Sequence, residues 1–297
     1  MWKQIASHIS QAIGEEFHIN NRRSVSGGCI NQGYAVSSDT GTYFVKLNRA
    51  SQVQMFEAEA LGLKQMFATR TIQVPKPICF GTVADSAYIV LEWLELNGGS
   101  TTKSWEEMGR QLAAMHRANP PQPPHSKGQS QQWFGWEQNN TIGSTPQINN
   151  WTSNWVEFFT EYRLGYQFQL ARRRSGNFPQ QERLMAVVPK LLNHRPQPSL
   201  VHGDLWGGNA AVTQSGEPVI FDPATYVGDR EVDIAMTELF GGFPAAFYRG
   251  YNQVWPLDDA YTQRKTLYNL YHILNHFNLF GGGYASQANR MIEQILG

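Results

Sequence analysis

Apolar residues recur on one face of residues 2–13, at Trp2, Ile5, Ile9 and Ile13, a spacing that predicts a helix. Short apolar runs follow around 22–26, 32–37 and 42–47 and predict strands, with Asp39–Gly41 as the turn between the last two. Residues 52–67 return to helical spacing, and two more strands are expected near 77–82 and 87–92. Beyond Leu96 the pattern changes. Asn97-Gly98-Gly99-Ser100 is loop chemistry, 104–117 reads as a helix, and the Pro- and Gln-rich stretch 119–150 reads as an irregular surface segment. Helices are predicted at 151–174, 180–193, 231–240, 260–279 and 284–296, and in this half only 199–222 looks short-stranded. No internal repeat is visible. The expectation is an α+β chain in two lobes: a small β-rich lobe with one inserted helix over 1–95, and a larger, mainly helical lobe over 96–297.

A length of 297 residues can bury a substantial core. Lysine plus arginine and aspartate plus glutamate number 24 each, so there is no electrostatic footprint for nucleic acid, and a nucleic-acid partner is not expected. The opening MWKQIASHISQAIG is too polar for a signal peptide and no 18-residue apolar run follows. A cytoplasmic chain without a membrane partner is expected. Two cysteines, Cys29 and Cys79, cannot make a disulfide framework. The many aromatic residues suit a core, and also a cleft that stacks on a flat ligand.

The sharpest motif is Val201-His202-Gly203-Asp204-Leu205-Trp206-Gly207-Gly208-Asn209. Kinase catalytic loops place an aspartate five residues before an asparagine in this way: the aspartate accepts the hydroxyl proton, and the asparagine oxygen binds magnesium. Asp222 ends the strand-like Pro218-Val219-Ile220-Phe221. With a hairpin turning at Gln214–Glu217, Asn209 and Asp222 are expected opposite each other at its open end, two oxygens suited to Mg2+ beside phosphate. The alternative is a surface hairpin with incidental polar ends.

Lys46 lies inside the apolar strand Thr42-Tyr43-Phe44-Val45-Lys46-Leu47, where it needs an anion; nucleotide phosphates and a helix glutamate supply one. Of Glu57 and Glu59, the latter shares a face with Phe56 and is the better partner; an edge lysine pointing to solvent is the alternative. Gly27 and Gly28, between two strands, let backbone N–H groups approach a phosphate, although a plain β-turn has the same composition. The lobe junction falls at Val90–Glu95, where the backbone of Glu92 and Leu94 is placed to bond adenine.

VSGGCIN, FVKLN, MFEAEALGL, FGWEQNNTIGSTPQ, HGDLWGGN, FDPATYVGDREVDIAMTELFGGF and LYHILNHFNLFGGGY, in this order along nearly the whole chain, together resemble the fructosamine/ketosamine 3-kinase family. That family belongs with the aminoglycoside phosphotransferase and choline kinase group, within the protein-kinase-like fold. The resemblance implies Asp204 as catalytic base, Asn209 and Asp222 as Mg2+ ligands, and Lys46 with Glu59 as the ATP phosphate-binding pair. It implies that Asp233 holds the catalytic loop from behind, and that Trp206 walls the sugar site, with plain core packing as the alternative. It further suggests a redox-sensitive Cys29, in a monomer or a homodimer linked through that thiol; an inert cysteine is the alternative. Pro223-Ala224 after Asp222 makes a protein-kinase activation switch doubtful, and Gly207 stands where relatives often carry Ser.

His272 and His276, four apart on a helix, form a possible metal pair, but no third ligand follows and packing roles are favoured. Arg172-Arg173-Arg174 reads as a solvated helix end. The implied reaction is transfer of the ATP γ-phosphate to the 3-hydroxyl of a ribulosamine or fructosamine, on a small amine or a glycated protein, leading to deglycation. A kinase for an aminoglycoside- or choline-like acceptor is the nearest rival. A catalytically inactive kinase-fold binding module is the rival from another class.

Overall fold

The computed structural model describes residues 1–25, 30–96, 98–126 and 131–297. Gly27, Gly28 and Cys29 lie outside the described residues. Helix α1 (Trp2–Ile13) precedes strands β1 (Asn21–Val25), β2 (Gln32–Ser37) and β3 (Thr42–Arg49). Helix α2 (Val53–Thr69) then leads to β4 (Pro77–Val83) and β5 (Ser86–Glu92). The five strands form one antiparallel sheet in the order β1-β2-β3-β5-β4.

Alternation along β3 decides what each face of this sheet does. Val45 and Leu47 join Ile5, Ile9 and Phe17 in a cluster under α1. Phe44 points the other way, packing against the main core with Phe56 and Leu63 of α2. Lys46 shares the parity of Phe44, so period-two geometry sends its ammonium toward α2 rather than to water, and only 5% of the residue is exposed.

The second half begins at α3 (Thr102–Arg117), opened by a reciprocal capping box between Thr101 and Ser104. A short hairpin, β6 (Asn140–Ile142) and β7 (Thr145–Gln147), precedes a helical rod. The rod runs from α4 (Trp155–Phe158) through a π-helical turn, Phe159–Gly165, into α5 (Tyr166–Arg173). After α6 (Gln181–Leu191) come β8 (Pro198–Val201), β9 (Ala210–Val212), β10 (Pro218–Ile220) and β11 (Tyr226–Asp229). The chain closes with α7 (Glu231–Leu239), α8 (Ala245–Val254), α9 (Tyr261–Phe280) and α10 (Tyr284–Leu296). This is the two-lobed, kinase-like α+β arrangement expected from the sequence.

Three elements depart from the sequence expectation. The β6–β7 hairpin lies in the stretch read as irregular; its strands have three residues each, too short for periodicity to register. β11 pairs antiparallel with β8 although it follows the stretch read as stranded. Helix α8 was not expected, because Gly250 and polar residues interrupt its apolar spacing. That glycine has a packing reason: a Cβ there would sit 1.9 Å from the Glu106 carbonyl oxygen of α3, and one at Gly109 would sit 2.0 Å from the Phe247 carbonyl oxygen of α8. The two helices therefore meet backbone to backbone. Among the described residues no helix is long and apolar enough to cross a membrane.

Candidate active site

The hairpin β9–β10 pairs Ile220 with Ala210, which sets Phe221, not Asp222, opposite Asn209; the Phe221 N–H donates to the Asn209 carbonyl at 3.1 Å. Asp222 therefore lies one residue beyond the expected register. Its φ of 57° is in the left-handed region, which costs a non-glycine residue about 1 kcal/mol. The Lys46 ammonium donates to Asp222 Oδ1 at 2.5 Å and to Glu59 Oε1 at 2.6 Å. Of the two candidate glutamates on α2, Glu59 is thus the one that reaches the lysine. Burial alone would lower the Lys46 pKa, but the two carboxylates outweigh it and raise it. Burial raises the Glu59 pKa, opposed by the nearby ammonium.

The loop after β8 is fixed from behind. Asp233, at the start of α7 and fully buried, accepts the backbone N–H of His202 at 2.7 Å and of Gly203 at 2.8 Å. It also bonds His116 Nε2 of α3 at 3.0 Å. Burial pushes the Asp233 pKa up, yet the His116 bond and neighbouring donors win and hold it below the ordinary aspartate value. His202 accepts the Asp204 N–H on Nδ1 and donates from Nε2 to the Phe221 carbonyl, at 3.2 and 2.9 Å. This fixes one neutral tautomer, in keeping with a pKa lowered by burial. The ring ties the loop carrying Asp204 to the strand end carrying Asp222.

Asp204 itself meets Asn209, whose Nδ2 donates to its carbonyl at 2.8 Å and to its Oδ2 at 3.3 Å. Those bonds consume the amide nitrogen and leave the side-chain oxygen of Asn209 for a cation. Burial, and then the charge of Asp222, push the Asp204 pKa up to about 7. Lys46, Glu59, Asp204, Asn209 and Asp222 all line one cavity of about 470 Å³. The donor set fits a divalent cation: the half-exposed carboxylate of Asp222 and the amide oxygen of Asn209 are hard oxygen ligands on residues that line the same cavity.

Trp206 lines the same cavity, 39% exposed, with its ring edge-on to Phe240 at 6.3 Å. Glu92 and Leu94 lie outside the lining; the Glu92 N–H is taken by the Lys76 carbonyl at 2.8 Å. His276 lines the cavity, a place that its sequence context does not reveal. Its Nδ1 bonds the His272 carbonyl at 2.8 Å, so the two histidines are linked through backbone rather than paired around a metal. Burial pushes the His272 pKa down to about 3 and lowers that of His276. Asn140, Ile142 and Gly143 of the short hairpin also reach the cavity. The nearest sequence signal for them was the FGWEQNNTIGSTPQ stretch, whose polar amides look like loop until their partners are known. The chemistry this arrangement can support is orientation of a hydroxyl at Asp204 beside a cation-bound polyanion.

Removing the ammonium leaves Glu59 and Asp222 facing each other. Lys46→Met should therefore lower the unfolding free energy by about 3 kcal/mol in urea titrations at pH 7. Adding Glu59→Leu to the same chain should recover part of the loss, and an unchanged midpoint for the single variant would contradict the pairing.

The model of the fructosamine kinase family matches residues 1–297. A Synechocystis protein named "Probable ketoamine kinase slr1563" is 60% identical over 296 residues, covering 99% of this chain and 97% of its own. The chloroplastic protein-ribulosamine 3-kinase of Arabidopsis thaliana is 43% identical over 288 residues, 95% of this chain and 85% of its own. A solved "Putative fructosamine-3-kinase" from Haemophilus somnus superposes with a TM-score of 0.90 at 30% identity, over 100% of this chain and 98% of its own. With a match from the first residue to the last, the chain belongs to the fructosamine kinase family.

Proposed function

We propose that this protein is an ATP-dependent ketosamine 3-kinase, transferring the γ-phosphate to the 3-hydroxyl of a ribulosamine or fructosamine. The relatives named ketoamine kinase and ribulosamine 3-kinase support the acceptor class. The observation that carries the mechanism is the convergence of Lys46, Asp204, Asn209 and Asp222 on one cavity. In this reading residues 1–95 form the nucleotide-binding lobe and 96–297 the catalytic and acceptor-binding lobe. Small amine-linked ketosamines and glycated protein lysines both fall within the acceptor class. Loss of the unstable 3-phosphate product frees the amine.

Asp204 takes the part of the base. Its carboxylate orients the acceptor hydroxyl and receives its proton as the oxygen attacks phosphorus. Lys46, held by Glu59, faces the phosphate oxygens and offsets the charge that spreads over them during transfer. Asn209 and Asp222 are the residues to hold Mg2+, which when bound neutralises phosphate charge. Trp206 provides a flat wall for the sugar. Backbone groups of Glu92 and Leu94 receive the adenine; because one N–H is already bonded, the Glu92 carbonyl and the Leu94 N–H are the groups in question.

Asp204→Ala should reduce phosphate transfer from labelled ATP to a ribulosamine by at least about 100-fold. Circular dichroism and the unfolding midpoint should stay close to those of the parent. Full activity in this variant would remove Asp204 from the mechanism, whereas a parent protein inactive on every ketosamine would remove the function.

The raised pKa of Asp204 gives a sign to the pH dependence. The base must be ionised, so kcat/KM should fall as pH drops through the Asp204 pKa; a cation that offsets the Asp222 charge pulls that pKa down from about 7, so the fall is expected below pH 7. A flat profile between pH 5 and pH 8 would show that another group limits the rate. For Cys29, the proposal includes redox sensitivity and a link between two chains; oxidant should lower activity and yield a dimer on non-reducing gels, and Cys29→Ala should abolish both effects. An oxidant response that persists in Cys29→Ala would overturn this part.

A further inference from the structure

Arg163 is fully buried in the π-helical turn, yet its guanidinium has no carboxylate partner among the described residues. It lies over the rings of Tyr226 at 4.0 Å and Phe158 at 4.5 Å. Its Nη1 donates to the Ile148 carbonyl and its Nη2 to Asn149 Oδ1, both at 2.7 Å. A buried cation paired only with neutral groups is an expensive way to fill space, and an apolar side chain of similar length would fill it with less desolvation. A single-turn π insertion is also where helices commonly place functional side chains.

The hydrogen bonds of this guanidinium lead to the strand end that carries Asp222. Asn149 Nδ2 donates to Asn140 Oδ1 at 2.8 Å, and Gln147 Nε2 donates to the same oxygen at 2.8 Å. Gln147 Nε2 also donates to the Ala224 carbonyl at 3.0 Å, and Asn140 Nδ2 to the Thr225 carbonyl at 2.8 Å. Tyr271 of α9 donates to Gln147 Oε1 at 2.6 Å, which fixes the amide the right way round. The receiving segment is confined from other sides too. A Cβ on Gly203 would lie 2.1 Å from the Ala224 oxygen, and one on Gly62 of α2 would lie 2.6 Å from Thr225 Oγ1. The Ala224 N–H is held by the His202 carbonyl at 2.8 Å.

We propose that Arg163 is a positioning residue: acting through Asn149, Asn140 and Gln147, it fixes the backbone at Ala224 and Thr225 and thereby aims the Asp222 carboxylate at its cation. The inference rests on the reading of Asp222 as a Mg2+ ligand. The β6–β7 hairpin is then more than a cavity wall. It carries the amide relay that holds the metal-binding residue in one orientation.

Two variants test this: Arg163→Met, which removes the root of the relay, and Gln147→Met, which breaks its last link at the Ala224 carbonyl. Mn2+ affinity is measured by electron paramagnetic resonance titration of the full chain with a non-hydrolysable ATP analogue, alongside kcat, nucleotide KM and the melting temperature. Each variant should weaken Mn2+ binding about 10-fold and lower kcat about 10- to 100-fold, with a smaller change in nucleotide KM. Variants with a lowered melting temperature but parental Mn2+ affinity and kcat would overturn the proposal, because a purely structural arginine predicts that pattern. If Arg163→Met does not fold, Gln147→Met decides between the two outcomes by the same criteria. A parent chain that transfers phosphate but whose Mn2+ binding is unaltered by Asp222→Asn would instead remove the reading of Asp222, and the proposal with it.

Discussion

One buried ammonium joins the two halves of this molecule chemically. Lys46 leaves the central strand of the sheet, and its two carboxylate partners come from α2 and from the end of the β9–β10 hairpin. Strand parity sends the side chain off the sheet toward α2, and the apolar face of that helix presents Glu59 to it. The third member, Asp222, is less buried and sits on a left-handed turn. A cation enclosed to this degree is tolerated only because both anions are close, and the anions repel each other without it. The cavity, the hairpin register and the confinement of the segment after Asp222 can all be understood as arrangements that bring these three charges together.

The loop bearing Asp204 is organised by a different device, a buried carboxylate that accepts backbone N–H groups. Asp233 does this at the N-terminal turn of α7, where the helix dipole also favours negative charge. His202 then couples the loop to the neighbouring strand end through the Phe221 carbonyl. The result is that Asp204 and Asp222 are neighbours on the lining of one cavity. The burial of Asp204 and then its repulsion by Asp222 both favour a proton on it. A cation beside Asp222 would work in the opposite direction.

Much of this was readable from residue order, for definite reasons. The sheet and α2 follow from period-two and period-3.6 patterns long enough to register, and the meeting of Lys46 with Glu59 follows from their faces. The His202–Asn209 segment is conspicuous because an aspartate five residues before an asparagine, with a histidine two before the aspartate, is the spacing of a kinase catalytic loop. Register was harder: a single residue separated the expected position of Asp222 from the one adopted, and a turn with positive φ supplied the difference. Tertiary partnership was hardest. Asn140, Gln147 and Asn149 look like solvent-facing amides in sequence, yet Gln147 and Asn149 are 1% exposed, each bonded within a network closed by distant residues. His276 likewise gave no sign that it faces the cavity. Neither Glu92 nor Leu94 lines that cavity, and recognition by backbone groups leaves little trace in side-chain identity.

The contact between α3 and α8 has a bearing on how the chain is made. Gly109 and Gly250 touch opposing backbone across more than a hundred intervening residues, so ribosomal synthesis must deliver α8 before α3 finds its mate. The sheet and the cluster beneath α1, by contrast, draw only on the first part of the chain. All five strands of the sheet have been made by Glu92, whereas the partners of α3, which are β8, β10 and α8, all come later in the chain. Loop-closure entropy and vectorial emergence thus place the α3–α8 contact after those of the sheet in the order in which their partners become available.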